Sequence, residues 1–193
     1  MKKAHKWLAI GTSTALLIAI VGTVTLKQNS LAASPTAASA NGAPGASSVA
    51  VAPQTGYKMP PIKLQEYPDN QTIDTDKLRG KPIFINFWTS WCVYCKLETP
   101  DIVQAYKQYG DKVVFLSVNV TAQDSMADME QFVKQYGITW PVALDTTGTV
   151  MNEYNIIGFP TSFFVNRQGM IVATNVGAIS KENLMAELER ISK

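Results

Sequence analysis

From Trp7 through Leu26 no charged residue occurs, and Leu, Ile, Val and Ala fill most positions. A helix of that length, at ~1.5 Å per residue, matches the ~30 Å hydrocarbon core of a bilayer. Lys2, Lys3 and Lys6 precede the segment and only Lys27 closely follows it. That asymmetry puts the N-terminus in the cytoplasm and the rest of the chain outside. Residues 1–27 are therefore expected to be a cytoplasmic stub and one signal-anchor transmembrane helix. A cleaved signal peptide is the competing reading. Its apolar region is usually ~7–15 residues, shorter than this one. Ala38-Ser39-Ala40 fits a cleavage pattern but lies well downstream. Both readings leave the following domain outside the cytoplasm.

Residues 28–56 are mostly Ala, Ser, Thr, Pro and Gly, with no charge and no aromatic ring. Such a stretch cannot bury enough apolar surface to offset its ordering entropy. It reads as a flexible tether with an end-to-end distance of about 30 Å.

Residues 57–193 carry globular patterning. Up to Arg79, prolines and aspartates allow only short strands. Ile83–Trp88 is a short apolar run, as in a strand buried on both faces. Cys92 to Tyr109 reads as a helix ended by Gly110, and Val113–Val120 as a second buried strand. Ser125–Tyr136 is amphipathic, with Met126, Met129, Phe132, Val133 and Tyr136 on one face and Gly137 as its stop. Trp140–Leu144 is a short strand and Val150–Tyr154 a short helical stretch. Thr161–Val165 and Met170–Thr174 flank Asn166-Arg167-Gln168-Gly169, a hairpin signature. Ser180 caps a last helix with Leu184, Leu188 and Ile191 on one face. Strands alternating with helices and ending in a hairpin imply an α/β fold, a mixed sheet covered by helices on both faces.

The net charge of +2 belongs to the N-terminal segment. Setting aside Lys2, Lys3, Lys6 and Lys27 leaves 13 basic against 15 acidic residues, a balance of −2. With no basic stripe, a nucleic-acid partner is not expected.

The only two cysteines lie in Trp91-Cys92-Val93-Tyr94-Cys95, directly after the strand Ile83–Trp88. A bridge closing so small a loop constrains the unfolded chain only slightly, so stapling explains it poorly. The first turn of a helix has free N–H groups and the positive end of the dipole, and both stabilise a thiolate. Cys92, at the exposed start, is expected to attack. Cys95, one turn in and shielded, is expected to resolve the mixed disulfide. A metal site lacks ligands, since the single histidine is His5. A peroxide-reducing site would need an activating Arg and Thr that Ser90-Trp91 does not supply. No cofactor or metal is expected beyond the redox-active Cys92–Cys95 pair.

The stretch Asn86-Phe87-Trp88-Thr89-Ser90-Trp91-Cys92-Val93-Tyr94-Cys95-Lys96 resembles the active-site strand, turn and helix of thioredoxins. Pro100 matches the proline that kinks that helix. Gly158-Phe159-Pro160-Thr161 matches the segment whose proline is cis and packs on the disulfide. More narrowly, the chain resembles the membrane-tethered TlpA/ResA-like thiol-disulfide oxidoreductases. Three features carry this: a strand-and-helix insert around Val113–Tyr136, the segment Trp140-Pro141-Val142-Ala143-Leu144-Asp145, and Glu98 at the place of an active-site glutamate. The resemblance implies a thioredoxin-like sheet and a peptide substrate paired with the backbone of Phe159 beside Pro160; Trp91, directly before Cys92, is expected to flank that substrate surface. It also implies reductase work on protein disulfides, often in cytochrome c maturation, fed by a membrane electron donor. A thiol oxidase of the same fold, or a non-catalytic peptide- or metal-binding module, remain the alternatives.

Two positions depart from the pattern. Asn86 stands where thioredoxins have a buried Asp that moves protons for the second cysteine. Asn cannot titrate, and Glu98, one turn beyond Cys95, is the candidate to replace it. The competing reading of Glu98 is an exposed glutamate paired with a lysine. Val93-Tyr94 between the cysteines matches neither the usual Gly-Pro nor the Glu-Pro of ResA-like proteins.

Overall fold

Every residue of Ile83–Trp88 is buried, and this strand lies inside a seven-stranded sheet. The computed structural model describes residues 50–193. In chain order the elements are β1 Lys63–Tyr67, β2 Thr72–Asp74, β3 Ile83–Trp88, α1 Val93–Tyr109, β4 Val114–Asn119 and α2 Met126–Tyr136. Then follow β5 Val142–Leu144, α3 Thr149–Glu153, β6 Thr161–Val165, β7 Ile171–Val176 and α4 Lys181–Ser192. The sheet order is β2-β1-β5-β4-β3-β6-β7. β3, β4 and β5 run parallel to one another, while the other pairings are antiparallel.

The two-residue period of β3 divides the core. Phe84 and Trp88 face a cluster built with Ile102 and Ala105 of α1, Phe132 of α2, and Leu184 and Leu188 of α4. Ile83, Ile85 and Phe87 face the other cluster, closed by Ile62, Leu78 and the α3 residues Val150 and Met151. Helices therefore cover both faces unequally, three on one and the short α3 on the other. Asn86 shares its period with Phe84 and Trp88, so its side chain points toward α1.

The strand and helix expected around Val113–Tyr136 are present as β4 and α2. The strand occupies the middle of the sheet, hydrogen-bonded between β3 and β5. The two glycine stops work differently. Gly137 takes φ +68°, a left-handed cap that favours glycine. Gly110 is needed for space, because a Cβ there would lie 2.8 Å from the Tyr106 ring.

Residues 50–56, assigned to the tether from composition, are part of the fold. Val51 pairs with Lys58, the Ala52 N–H donates to the Lys58 carbonyl, and the Gly56 N–H donates to that of Ile171. Backbone pairing holds this stretch, and composition carries no signal for that. The anchor expected in residues 1–27, and residues 28–49 of the tether, lie outside the described residues. Among the described residues no helix is long and apolar enough to cross a membrane.

Phe84 is the centre of the larger core, with its ring 5.3 Å from Phe115 and 5.1 Å from Phe164. Phe84→Ala is expected to cost about 3–5 kcal/mol, read as a lower urea midpoint at unchanged slope.

Candidate active site

β3 ends at Trp88, and Thr89-Ser90-Trp91 turn the chain into α1. Cys92 is the N-cap of that helix, and its Sγ accepts from the Cys95 N–H at 3.1 Å. The two cysteines are joined as a disulfide with Cα atoms 5.3 Å apart. The bridge thus spans the first turn, where the helix dipole favours negative charge on sulfur. Within α1, Pro100 has no N–H for the Lys96 carbonyl, and the Thr99 hydroxyl donates to the Cys95 carbonyl at 2.6 Å.

Cys92 is not the open thiol expected from its place at a helix start. In the disulfide it is 4% exposed, and Cys95 is 1% exposed. The exposed side chains around it, Trp91, Val93 and Tyr94, stand up from the surface and leave the sulfur at the bottom of a cleft. The two cysteines still differ. Cys92 lines a cavity of about 480 Å³ with Trp91, Tyr94, Met151, Ile157 and Phe159, whereas Cys95 is not among the lining residues. No charged side chain lines this cavity.

Trp91 is 56% exposed, and its ring meets Phe159 edge-on at 5.9 Å. The Phe159–Pro160 bond is cis and Pro160 is buried. Among the described residues, no backbone partner takes the N–H or C=O of Phe159. An extended peptide can pair there as an added strand would. Among the described residues the other two tryptophans belong to the core. Trp88 packs on Phe132 at 4.5 Å, and Trp140 donates its Nε1–H to the Ser117 hydroxyl at 2.8 Å.

Glu98 is 3% exposed, so it is not a surface glutamate paired with lysine. Its Oε1 accepts from Asn86 Nδ2 at 2.9 Å and its Oε2 from the Ile179 N–H at 2.9 Å. Asn86 Nδ2 also donates to the Ser162 hydroxyl at 3.1 Å. Ser162 and Ile179 had no signal in the sequence. The first comes from the β3–β6 register, which sets Asn86 opposite Ser162, and the second from the lead-in to α4. Burial pushes the Glu98 carboxyl up to about 7, while the Ile179 N–H and Asn86 pull against it. Among the described residues no three His, Cys, Asp or Glu side chains gather as a metal site.

A raised carboxyl means that the folded protein holds the Glu98 proton more tightly than the unfolded chain does. The stability this supplies is complete below the ordinary value of 4.5 and is lost as pH rises through about 7. The difference is on the order of 3 kcal/mol. Glu98→Gln is expected to flatten the fall in unfolding free energy between these limits, measured by urea titration across the range. Parallel curves for the two proteins would remove the buried titration.

The Redoxin family model matches residues 54–189. The chain is 32% identical over 139 residues to the thiol-disulfide oxidoreductase ResA of Bacillus anthracis, covering 72% of this chain and 79% of that protein. It is 38% identical over 108 residues to the sporulation thiol-disulfide oxidoreductase A of Bacillus subtilis, covering 55% and 66%. Among solved structures, StoA from Bacillus subtilis superposes with TM-score 0.58 at 32% identity, covering 66% of this chain and 96% of that one. A putative thiol:disulfide interchange protein DsbE from Chlorobium tepidum gives 0.66 at 26% identity, covering 72% and 99%. With its Cys92–Cys95 pair at the head of α1, the chain belongs to the Redoxin family, as a TlpA/ResA-like thiol-disulfide oxidoreductase of the thioredoxin superfamily.

Proposed function

We propose that this oxidoreductase reduces protein disulfides outside the cytoplasm, tethered to the membrane by residues 1–27, and serves cytochrome c maturation. The observation that carries the roles in exchange is the inequality of the cysteines, because Cys92 opens on the uncharged cavity and Cys95 does not; the reductase direction rests on the TlpA/ResA-like pattern. In the reduced enzyme the Cys92 thiolate attacks one sulfur of a substrate disulfide. A Cys92–substrate bond forms, the substrate S–S bond breaks, and the departing thiolate takes up a proton. Cys95 then attacks the Cys92 sulfur, and the second substrate thiol leaves. Two electrons and two protons pass to the substrate, and the enzyme is left as the Cys92–Cys95 disulfide. A membrane dithiol donor returns it to the reduced form.

Glu98 takes the Cys95 proton in the second step. It lies one turn along the helix from Cys95, and a carboxyl held near 7 exchanges a proton readily at neutral pH. Once ionised, its charge disfavours a second anion beside it, which holds Cys95 as the neutral thiol before the mixed disulfide forms. Trp91, Phe159 and Pro160 hold the substrate segment.

The uncharged run Trp7–Leu26 and the lysines ahead of it support the anchor and its orientation. A structural neighbour at 28% identity and TM-score 0.59, covering 68% of this chain and 99% of that one, is an exposed lipoprotein thioredoxin, Etrx1 of Streptococcus pneumoniae. The cytochrome c assignment follows from the TlpA/ResA-like pattern.

In cells, Cys95→Ala is expected to accumulate disulfide-linked partners, apocytochrome c among them, and Cys92→Ala to accumulate few. Mass spectrometry of the trapped species reads both substrate and direction. Equal trapping by the two variants would overturn the roles, and a reduction potential well above that of extracytoplasmic thiols would make the enzyme an oxidase. A membrane-impermeant maleimide applied to intact, dithiothreitol-treated cells should label Cys92 of the full chain. Labelling only after lysis would place the domain inside.

A further inference from the structure

Asp124 ends the short turn Thr121–Gln123 between β4 and α2. It is not the cap of α2, because Ser125 is, with its Oγ accepting from the Asp128 N–H. Its carboxylate instead reaches back to the active-site turn. Oδ2 accepts from the Ser90 N–H at 2.6 Å and from Asn119 Nδ2 at 2.7 Å. Oδ1 accepts from the Ser90 hydroxyl at 2.5 Å and from the Ser125 N–H at 2.9 Å. Four donors fill the acceptor positions of the carboxylate. The neighbouring Gln123 holds the next residue along. Its carbonyl accepts from Trp91 Nε1–H at 2.8 Å, and its side-chain amide donates to Met151 Sδ at 3.3 Å.

Ser90 and Trp91, the two residues ahead of Cys92, are thus gripped by two adjacent residues of one loop. Asn119, fully buried at the end of β4, ties that loop to the sheet. Trp91 and Met151 both line the cavity at Cys92. An exposed indole without this anchor has several rotamers open to it, and only one sets its face against Phe159.

We propose that Asp124 is a positioning residue for substrate docking: its carboxylate latches the Ser90–Trp91 turn to the β4–α2 loop and so fixes the Trp91 wall of the cleft. This rests on the reading of the cleft as the place where protein disulfides dock. Because Asp124 touches neither sulfur, the latch governs how well a protein substrate is held rather than the exchange itself.

The test uses the full chain in detergent, with dithiothreitol as reductant and insulin as the protein disulfide. Asp124→Ala is expected to raise the KM for insulin about tenfold with a much smaller change in kcat. Asp124→Asn, which keeps one acceptor oxygen, should lie between it and the parent. Ser90→Ala removes only the hydroxyl bond and should move KM in the same direction by less. Acrylamide quenching of Trp91, taken as the difference between each protein and its Trp91→Phe counterpart, should rise in the same order. Unchanged KM and unchanged Trp91 quenching in folded Asp124→Ala overturn the latch, as does a fall in kcat alone. If Asp124→Ala does not fold, the same readings on Asp124→Asn and Ser90→Ala decide. Should the parent itself fail to reduce insulin, the reductase reading falls, while Trp91 quenching still decides the latch.

Discussion

The hydrogen bond from Asn86 to Glu98 is the joint on which the site depends. It links the middle of β3 to the second turn of α1 at 2.9 Å, in a region with almost no access to water. The other carboxylate oxygen takes the Ile179 N–H, which fixes the lead-in to α4 against the same helix. One side chain thereby ties β3, α1 and the lead-in to α4 to one another. A buried polar group left without partners costs on the order of 1–3 kcal/mol, so each of these groups holds the others in place. The apolar packing of Ile102, Ala105, Leu184 and Leu188 holds α1 and α4 on the sheet. The Glu98 bonds add directional contacts to that packing.

With α1 fixed, the two sulfurs acquire different surroundings. The N-cap position gives Cys92 the end of the helix dipole and a face on the cavity. Cys95 lies one turn in, on the side of Glu98, and away from the cavity. The chemistry of the pair is therefore written in the position of one helix. The cleft above it is made by other parts of the chain: Trp91 from the turn, Met151 from α3, and Phe159 from the connection into β6. It has no charged lining residue, and the Phe159 backbone at its edge has no backbone partner among the described residues.

Much of this was legible in the chain because the signals are local. Cys-x-x-Cys after an apolar run, Gly137 after an amphipathic stretch, Ser180 before the last helix and the turn Asn166–Gly169 each carry their own conformational reason. What was not legible depends on partners distant in sequence. Whether Glu98 is buried depends on where α1 lands on β3. Trp140 belongs to the core because Ser117 of β4 accepts its indole N–H and Tyr106 lies 4.8 Å from its ring. The depth of Cys92 depends on three bulky neighbours whose directions no periodicity gives. Asp124 looks like one more polar residue before a helix, and only the fold brings Ser90 to it.

Asn86 and Glu98 are best understood as one exchange of chemistry rather than as two separate departures. Asn86 donates through one amide nitrogen to both Glu98 and the Ser162 hydroxyl. An aspartate in its place has no N–H to give and would set a second carboxylate within hydrogen-bonding distance of Glu98. Two carboxylates so close cannot both ionise, and one would be driven strongly upward. With asparagine the site keeps a single titrating group, raised by burial alone and restrained by two donors. In the mechanism proposed above, the proton that leaves Cys95 then has one carboxyl to go to, in the helix rather than in the strand, and the neutrality of Asn86 is the condition that proposal places on Glu98.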